Sequence, residues 1–261
     1  MQIPRWLKIL RSKKCEKLRY NLAEVLQIYF RVEVEGIENI PKKGPVIILP
    51  NHSGFAGFDA VVLGHTIKSQ TQRDFRILAH QAYFQWSRLL RLTSLQLGLR
   101  EAKFWSALAS LRAGQVLILF PEGEQGNFKP TSLRYHLQEF HSGFLRLAMR
   151  TNAHIIPCLI IGAEESHLNL AKIDLSRWID GLILPLPLNF FPLPAKWKIR
   201  FLKPIEIGSQ DKKQLQDHRQ LLKRTEDIRG AMQRALTMET QRRKFIYFPL
   251  PKRRSRFEIL V

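Results

Sequence analysis

The stretch Val46-Ile47-Ile48-Leu49-Pro50-Asn51-His52-Ser53-Gly54-Phe55-Ala56-Gly57-Phe58-Asp59-Ala60 decides how this chain is read. Its first four residues are apolar, three of them β-branched, and Gly44-Pro45 and Pro50 bound them. That is the pattern of a short buried strand. Ala60-Val61-Val62-Leu63 then reads as a helix with Asp59 as its N-cap. His52 therefore falls where a strand gives way to a loop, the usual position for reactive groups on an open α/β sheet. A continuous helix would hold His52 and Asp59 about 10 Å apart along its axis. Gly54 and Gly57 free the backbone to fold back, so that Asp59 reaches a ring nitrogen of His52 and the imidazole becomes a general base. Taken alone, the two residues serve equally well as a loop histidine and a helix cap.

At 261 residues the chain can bury a substantial core, and 45% hydrophobic with 25% charged residues is ordinary for a globular protein. A net charge of +20 is not ordinary. It is concentrated at the ends. Residues 1–31 carry eight Lys and Arg against Glu16 and Glu24, and residues 241–261 carry seven against Glu258. Each end is thus six charges positive, which points to a polyanionic partner, either nucleic acid or an anionic membrane surface. Cys15 and Cys158 have no Cys or His neighbour at ligand spacing. A disulfide framework and a zinc site are not expected, as suits a reducing cytosol. Neither a signal peptide nor a membrane-spanning helix is expected, so a protein of this kind meeting a membrane would lie on it.

Residues 1–30 mix Trp6, Leu7, Leu10, Leu22, Leu26 and Tyr29 with basic residues, the composition of an amphipathic helical segment for an interface or of a helix packed on the domain with a solvated face. Arg31–Gly36 alternates like a short edge strand. Strands are expected at Phe75–Ala79, Ser94–Leu97, Val116–Phe120, Ile155–Ile161 and Lys198–Leu202, and helices at 60–68, 82–91, 102–113, 141–152 and 211–240. The alternation predicts an α/β domain over 31–240, a mostly parallel central sheet flanked by helices, with a basic tail at 241–261. The strand Val116–Phe120 runs into Pro121-Glu122-Gly123-Glu124, again a charge and a glycine directly after a strand. Lys129 and Arg134 follow, either to hold a phosphate or as solvated surface. Residues 182–195 are almost wholly apolar but contain Pro185, Pro187, Pro192 and Pro194, which forbid a regular helix. Such a loop is either buried or dips into lipid. Lys196–Phe201 alternates basic and large apolar residues, a strand with one basic face. Beyond it, Leu215, Leu222, Ile228, Met232 and Leu236 form a helical packing stripe.

From about residue 29 to 205 the chain resembles the glycerophospholipid acyltransferase family, typified by 1-acyl-glycerol-3-phosphate acyltransferases. The resemblance rests on Gly36-Ile37-Glu38-Asn39-Ile40-Pro41, Asn51-His52 with Asp59, Gly98 to Arg100, Phe120-Pro121-Glu122-Gly123, and Ile156-Pro157 followed by Gly162-Ala163-Glu164-Glu165. It implies that His52 takes the proton from a glycerol hydroxyl attacking an acyl thioester, with Asp59 as orienter. It further implies that Phe120, Pro121, Glu122 and Gly123 help bind the acceptor's phosphate end, that Arg100 is a further phosphate contact, and that Pro157 shapes the acyl site. No cofactor is implied beyond acyl-CoA or an acyl carrier protein thioester as co-substrate. The acceptor is a lysophospholipid, and the place of action is the cytoplasmic face of a membrane. Two departures stand out. The family's common pattern has aspartate five positions after histidine, where this chain has Gly57, and an arginine where this chain has Gln125, leaving Lys129 or Arg134 to supply its charge. The longer His-to-Asp spacing also fits a catalytically weak membrane-bound scaffold, and the basic ends fit a nucleic-acid binder. No nucleic-acid-binding module is legible, however, and nucleic acid is not the expected partner.

Overall fold

Four consecutive residues with no exposure, Val46 to Leu49, require a strand covered on both faces, and that is what the chain builds around them. The computed structural model describes residues 22–52, 57–85, 87, 91–92, 94–95, 97–174, 183–189, 191–244 and 246–247. A helix at residues 22–29 (α1) leads into β1 (Glu33–Glu35), β2 (Val46–Pro50), α2 (Phe58–Thr71), β3 (Phe75–Ala79), α3 (Ala82–Gln85), β4 (Leu99–Glu101), α4 (Phe104–Arg112) and β5 (Val116–Ile118). Then come α5 (Gly123–Asn127), α6 (Gly143–Thr151), β6 (His154–Ile161), α7 (Ala163–Ser166), β7 (Asn169–Asp174), β8 (Ile183–Pro187), β9 (Lys198–Phe201), α8 (Ser209–Gln214) and α9 (His218–Gln241). Seven strands form one sheet in the order β1-β9-β6-β2-β5-β3-β4. The five from β6 to β4 are parallel; β9 runs against β6 and β1 lies parallel to β9 at the edge. This is the mostly parallel α/β sheet that the alternation of elements predicts.

The strand period of two sorts the core into two layers. Ile47, Leu49, Leu117, Ile155 and Leu159 face α4, α6 and α9 through Leu108, Leu111, Phe144 and Met232. Val46, Ile48, Ile118, Ile156 and Ile160 face α2 through Val62, Leu63 and Ile67. The second layer is closed at the far edge by Trp197, stacked on Phe30 with ring centroids 4.1 Å apart, its indole N–H donating to Ser166 Oγ at 2.8 Å. The basic face of β9 is charge-paired and partly exposed. Lys198 pairs with Glu35 and Glu239 at 2.9 and 2.8 Å, and Arg200 also meets Glu239, so the strand's charge is matched from β1 and α9.

Several expectations shift. The fourth strand lies at Leu99–Glu101 and not at Ser94–Leu97, because Gly98, in the left-handed region at φ 84°, turns the chain before the strand begins. The helix expected over 211–240 is broken at residues 215–217, where Asp217 caps α9 by accepting from Arg219 N at 3.1 Å. The buried stripe is therefore Leu221, Thr225, Ile228, Met232 and Leu236, at spacings of four and three. Leu222, one position and about 100° away, faces solvent. Residues 183–187 of the proline-rich stretch form β8, paired antiparallel with β7 in a separate two-stranded sheet. Pro185 and Pro187 are tolerated there because a two-stranded sheet consists of edges. Residues 1–21 and 248–261, and with them most of the two basic ends, lie outside the described residues, as does Cys15; Cys158 is a free thiol whose pKa its burial pushes up.

Replacing Trp197 by Ala removes both the stack and the indole bond. Chemical denaturation is expected to show a loss of about 3–5 kcal/mol.

Candidate active site

β2 ends at Pro50, and the next residue explains why the chain leaves the sheet there. The Asn51 side chain takes the place of a ladder partner: its Nδ2 donates to Ile160 O at 3.0 Å and its Oδ1 accepts from Ile160 N at 2.7 Å. With the amide spent on β6, the backbone turns outward and presents His52 above the C-terminal edge of the sheet. Gly57, at φ 69° and ψ 22°, is the left-handed N-cap of α2, and this turn carries Asp59 back beneath the histidine. Asp59 is thus not the cap but lies inside the first turn. His52 Nδ1 and Asp59 Oδ2 are 2.7 Å apart, and Oδ1 of the same carboxylate accepts from Ala60 N at 2.8 Å. Asp59 is fully buried, while the His52 side chain keeps 15% exposure. An ionised carboxylate only accepts, so Nδ1 carries the proton and Nε2 is the basic nitrogen. Phe120, two residues beyond the end of β5, stacks on the imidazole with centroids 4.0 Å apart and fixes the plane of the ring.

Glu122 holds the backbone of the same residue. Its Oε1 accepts from His52 N at 2.9 Å and its Oε2 from Gln138 N at 2.7 Å, with no exposure to water. Gly126, one turn on, is needed for this packing: a Cβ there would lie 2.5 Å from Glu122 Cβ. The Lys129 ammonium is equally enclosed, 2.9 Å from Glu164 Oε1 and 3.7 Å from Glu122 Oε2. Burial raises the pKa of Glu164, against the opposing pull of Lys129 and of the Tyr135 N–H, which donates to it at 2.7 Å. The network continues outward. Tyr135 Oη donates to Glu165 at 2.8 Å, and Arg243, beyond the end of α9, closes on the other oxygen of Glu165 at 2.6 Å. Burial, then the charge of Glu165, raises the Tyr135 phenol.

The expected site residues thus fall into two groups. His52, Asp59, Phe120 and Glu122 form one connected unit. Gly123, at φ 56°, begins α5 directly beyond it, and buried Pro121 accepts from His141 N at 2.9 Å. Pro157 lies within β6 opposite Leu49, and its carbonyl accepts from Leu202 N. Lys129, expected to meet a phosphate, instead meets two carboxylates. Arg134 is exposed, its guanidinium 5.8 Å from the centroid of the Tyr135 ring. Arg100 stands on β4, two strands from β5, donating to the carbonyls of Leu95 and Leu99; burial and then the nearby charge of Arg76 lower its pKa. Ser53 and Gly54 lie outside the described residues. Sequence reasoning gave no role to Asn51, Gln138 or the Tyr135–Glu165–Arg243 chain. Two adjacent acids directly after the apolar strand β6 were the available signal. Among the described residues, no group of three or more His, Cys, Asp and Glu could hold a metal ion, and no helix is long and apolar enough to cross a membrane.

A buried acid gripping a histidine at the C-terminal edge of a parallel sheet defines a class of site, and the comparisons with known proteins fall in the same place. The chain belongs to the Acyltransferase family, whose model matches residues 31–161, half of the chain. Uncharacterized proteins of Mycobacterium tuberculosis and Mycobacterium leprae are 34% and 32% identical over 232 and 237 residues. Each alignment takes in 84% of this chain but only 64% and 63% of the relatives, so the chain spans less than two thirds of their length. The crystal structure of PlsC, the 1-acyl-sn-glycerophosphate acyltransferase of Thermotoga maritima, matches with a TM-score of 0.56 at 18% identity. That match covers 92% of this chain and 88% of PlsC and is a likeness of fold.

Glu122→Gln would present an amide N–H₂ to backbone donors that need acceptors. The variant is expected to lose about 1–3 kcal/mol in urea denaturation, with an unchanged far-ultraviolet spectrum.

Proposed function

We propose that this chain transfers a fatty acyl group from an acyl thioester to a hydroxyl of a lysophospholipid, with 1-acyl-glycerol-3-phosphate as acceptor and phosphatidic acid as product. The observation that carries the reading is the 2.7 Å contact between His52 Nδ1 and the buried Asp59 carboxylate, which leaves Nε2 as a general base. A scaffold without activity would have tolerated a separated pair, and the side chains are in contact despite the longer spacing.

In the reaction the acceptor hydroxyl gives its proton to Nε2 as its oxygen attacks the thioester carbonyl. Asp59 stabilises the imidazolium that forms and keeps the tautomer correct. The tetrahedral intermediate then expels the thiolate of coenzyme A or of an acyl carrier protein, and the imidazolium returns its proton to that sulfur. The ester is formed, the thiol is released and the histidine is restored, with no acyl-enzyme required. Glu122 acts as a positioning residue through the His52 backbone, and Lys129 supports Glu122 instead of reaching the substrate. Arg100, with no carboxylate partner among the described residues, is the better candidate for a phosphate, with exposed Arg134 a second. The site works at the cytoplasmic face of a membrane, where the acceptor resides and anionic lipid meets the chain's positive charge.

The test is product formation from labelled long-chain acyl-CoA and lysophosphatidate. His52→Ala is expected to lower kcat about 10²–10⁴-fold, and Asp59→Asn by a large part of that. Equal, background-level turnover by wild type and His52→Ala across several lysolipids would end this reading. A separate prediction concerns Arg100→Gln, which is expected to raise the KM for lysophosphatidate about tenfold or more while leaving that for a monoacylglycerol unchanged.

A further inference from the structure

Among the described residues, the β7–β8 hairpin carries an apolar face that is left exposed. In its antiparallel register Ala171 lies opposite Leu186. With the strand period of two, Ala171, Ile173 and Leu186 share one face, and Leu188 follows directly after the end of β8. Ile173, Leu186 and Leu188 are exposed, Leu188 to 63%, and Phe191 just beyond the strand is 88% exposed. A grouped apolar face of this kind is costly in water.

The root of the hairpin is firmly built and sits beside the candidate active site. Asn169 donates from Nδ2 to the carbonyls of Phe128 and Lys129 at 2.9 and 3.1 Å, and its own N–H donates to Thr131 Oγ1 at 2.7 Å. Asn189 ties the other strand to Leu168 N at 2.8 Å and Ser166 O at 3.0 Å. The neighbouring His167 ring lies parallel to Phe58, the residue before Asp59, with centroids 6.0 Å apart. The hairpin therefore rises from the segment that follows Glu122 and from the approach to α2.

Both basic ends meet the fold at this same root. Tyr29, at the end of α1, donates to Pro192 O at 2.6 Å, and Arg31 donates to Pro194 O at 2.6 Å and to Tyr247 O at 3.1 Å. Lys196 N donates to Ile246 O at 2.7 Å. The segments 1–31 and 241–261, each six charges positive, thus join the described fold next to the apolar hairpin. The outer side of α1 adds Leu22, Val25 and Ile28, the last 71% exposed. An apolar surface thus stands where both positively charged segments leave the described fold, and apolar surface with positive charge is the pairing that binds an anionic lipid surface.

We propose that the β7–β8 hairpin, with Leu186, Leu188 and Phe191 as its anchors, inserts into the headgroup–acyl boundary of an anionic bilayer and sets the candidate active site against that bilayer. The proposal deepens the acyl-transfer reading and rests on it for the need to take up a lipid acceptor. Its deciding readouts, however, are vesicle binding and the emission of a label on the hairpin. The full chain is cosedimented with vesicles of phosphatidylglycerol and phosphatidylcholine, and with vesicles of phosphatidylcholine only. Wild type and Trp105→Ser, a variant at an exposed apolar residue on α4, are expected to bind the anionic vesicles equally. Leu186→Ser/Leu188→Ser/Phe191→Ser is expected to lose binding about tenfold or more. Toward a water-soluble short-chain lysophosphatidate the triple variant is expected to keep wild-type turnover. Phe191→Cys in a Cys15→Ser background, labelled with nitrobenzoxadiazole, is expected to shift its emission to the blue on adding anionic vesicles. Unaltered vesicle binding by the triple variant, or an unshifted label, overturns the proposal. So does a triple variant that only turns a wild-type dimer into a monomer on gel filtration, which would assign the face to a second copy. Hairpin-dependent vesicle binding without acyl transfer would instead remove the proposed reaction and leave the surface standing.

Discussion

A carboxylate sealed from water, Glu122, is the point on which the organisation of the candidate site depends. Taking such a group out of solvent costs several kcal/mol unless donors replace the lost water. Here the donors are two backbone N–H groups, those of His52 and Gln138, with Lys129 as the countercharge. The first fixes the residue that bears the imidazole, and the second fixes the loop that follows α5. Lys129 passes the constraint to Glu164, and the Tyr135–Glu165–Arg243 contacts carry it to the end of α9. The burial of one acid thus commits segments from five parts of the chain to a single arrangement.

The sheet explains why this is possible. β2 is flanked by β5 and β6 and parallel to both, so the residues following β2 and β5 emerge side by side at one edge. His52 and Glu122, seventy positions apart, become neighbours because their strands are neighbours. Asn51 sharpens the exit by occupying the backbone groups of Ile160 on the other side. The proposed base is therefore held from three directions: by Asp59 at its ring, by Phe120 at its face and by Glu122 at its main chain.

Much of the fold was legible because its signals are local. Val46–Leu49, Val116–Ile118 and Ile155–Ile161 are apolar runs with turn residues at their borders, and each is a strand near its expected bounds. Errors arose where a local pattern had two solutions. Leu215 and Leu222 have helical spacing, yet the break before Asp217 resets the phase and makes Leu221 the buried neighbour. Ser94–Leu97 reads as extended, but the turn at Gly98 delays the strand to Leu99. In the candidate site, His52, Phe120 and Glu122 stood out because each lies just after a strand, and Asp59 because Gly54 and Gly57 separate it from His52. The commitment of Lys129 to buried acids had no local signature.

The sequence by itself determined the class of the sheet, the order of its elements and the identity of the histidine and acids at its edge. These follow from periodicity and short motifs, which are properties of contiguous chain. Only the tertiary structure decided whether seven residues with a glycine at position 57 could close the His52–Asp59 pair. It also decided that the basic face of β9 is neutralised by Glu35 and Glu239 and that an exposed apolar hairpin face lies where both basic ends leave the described fold. Each of these is a matter of which distant segments share a dielectric and a set of hydrogen-bond partners, and that is fixed only once the sheet has brought them together.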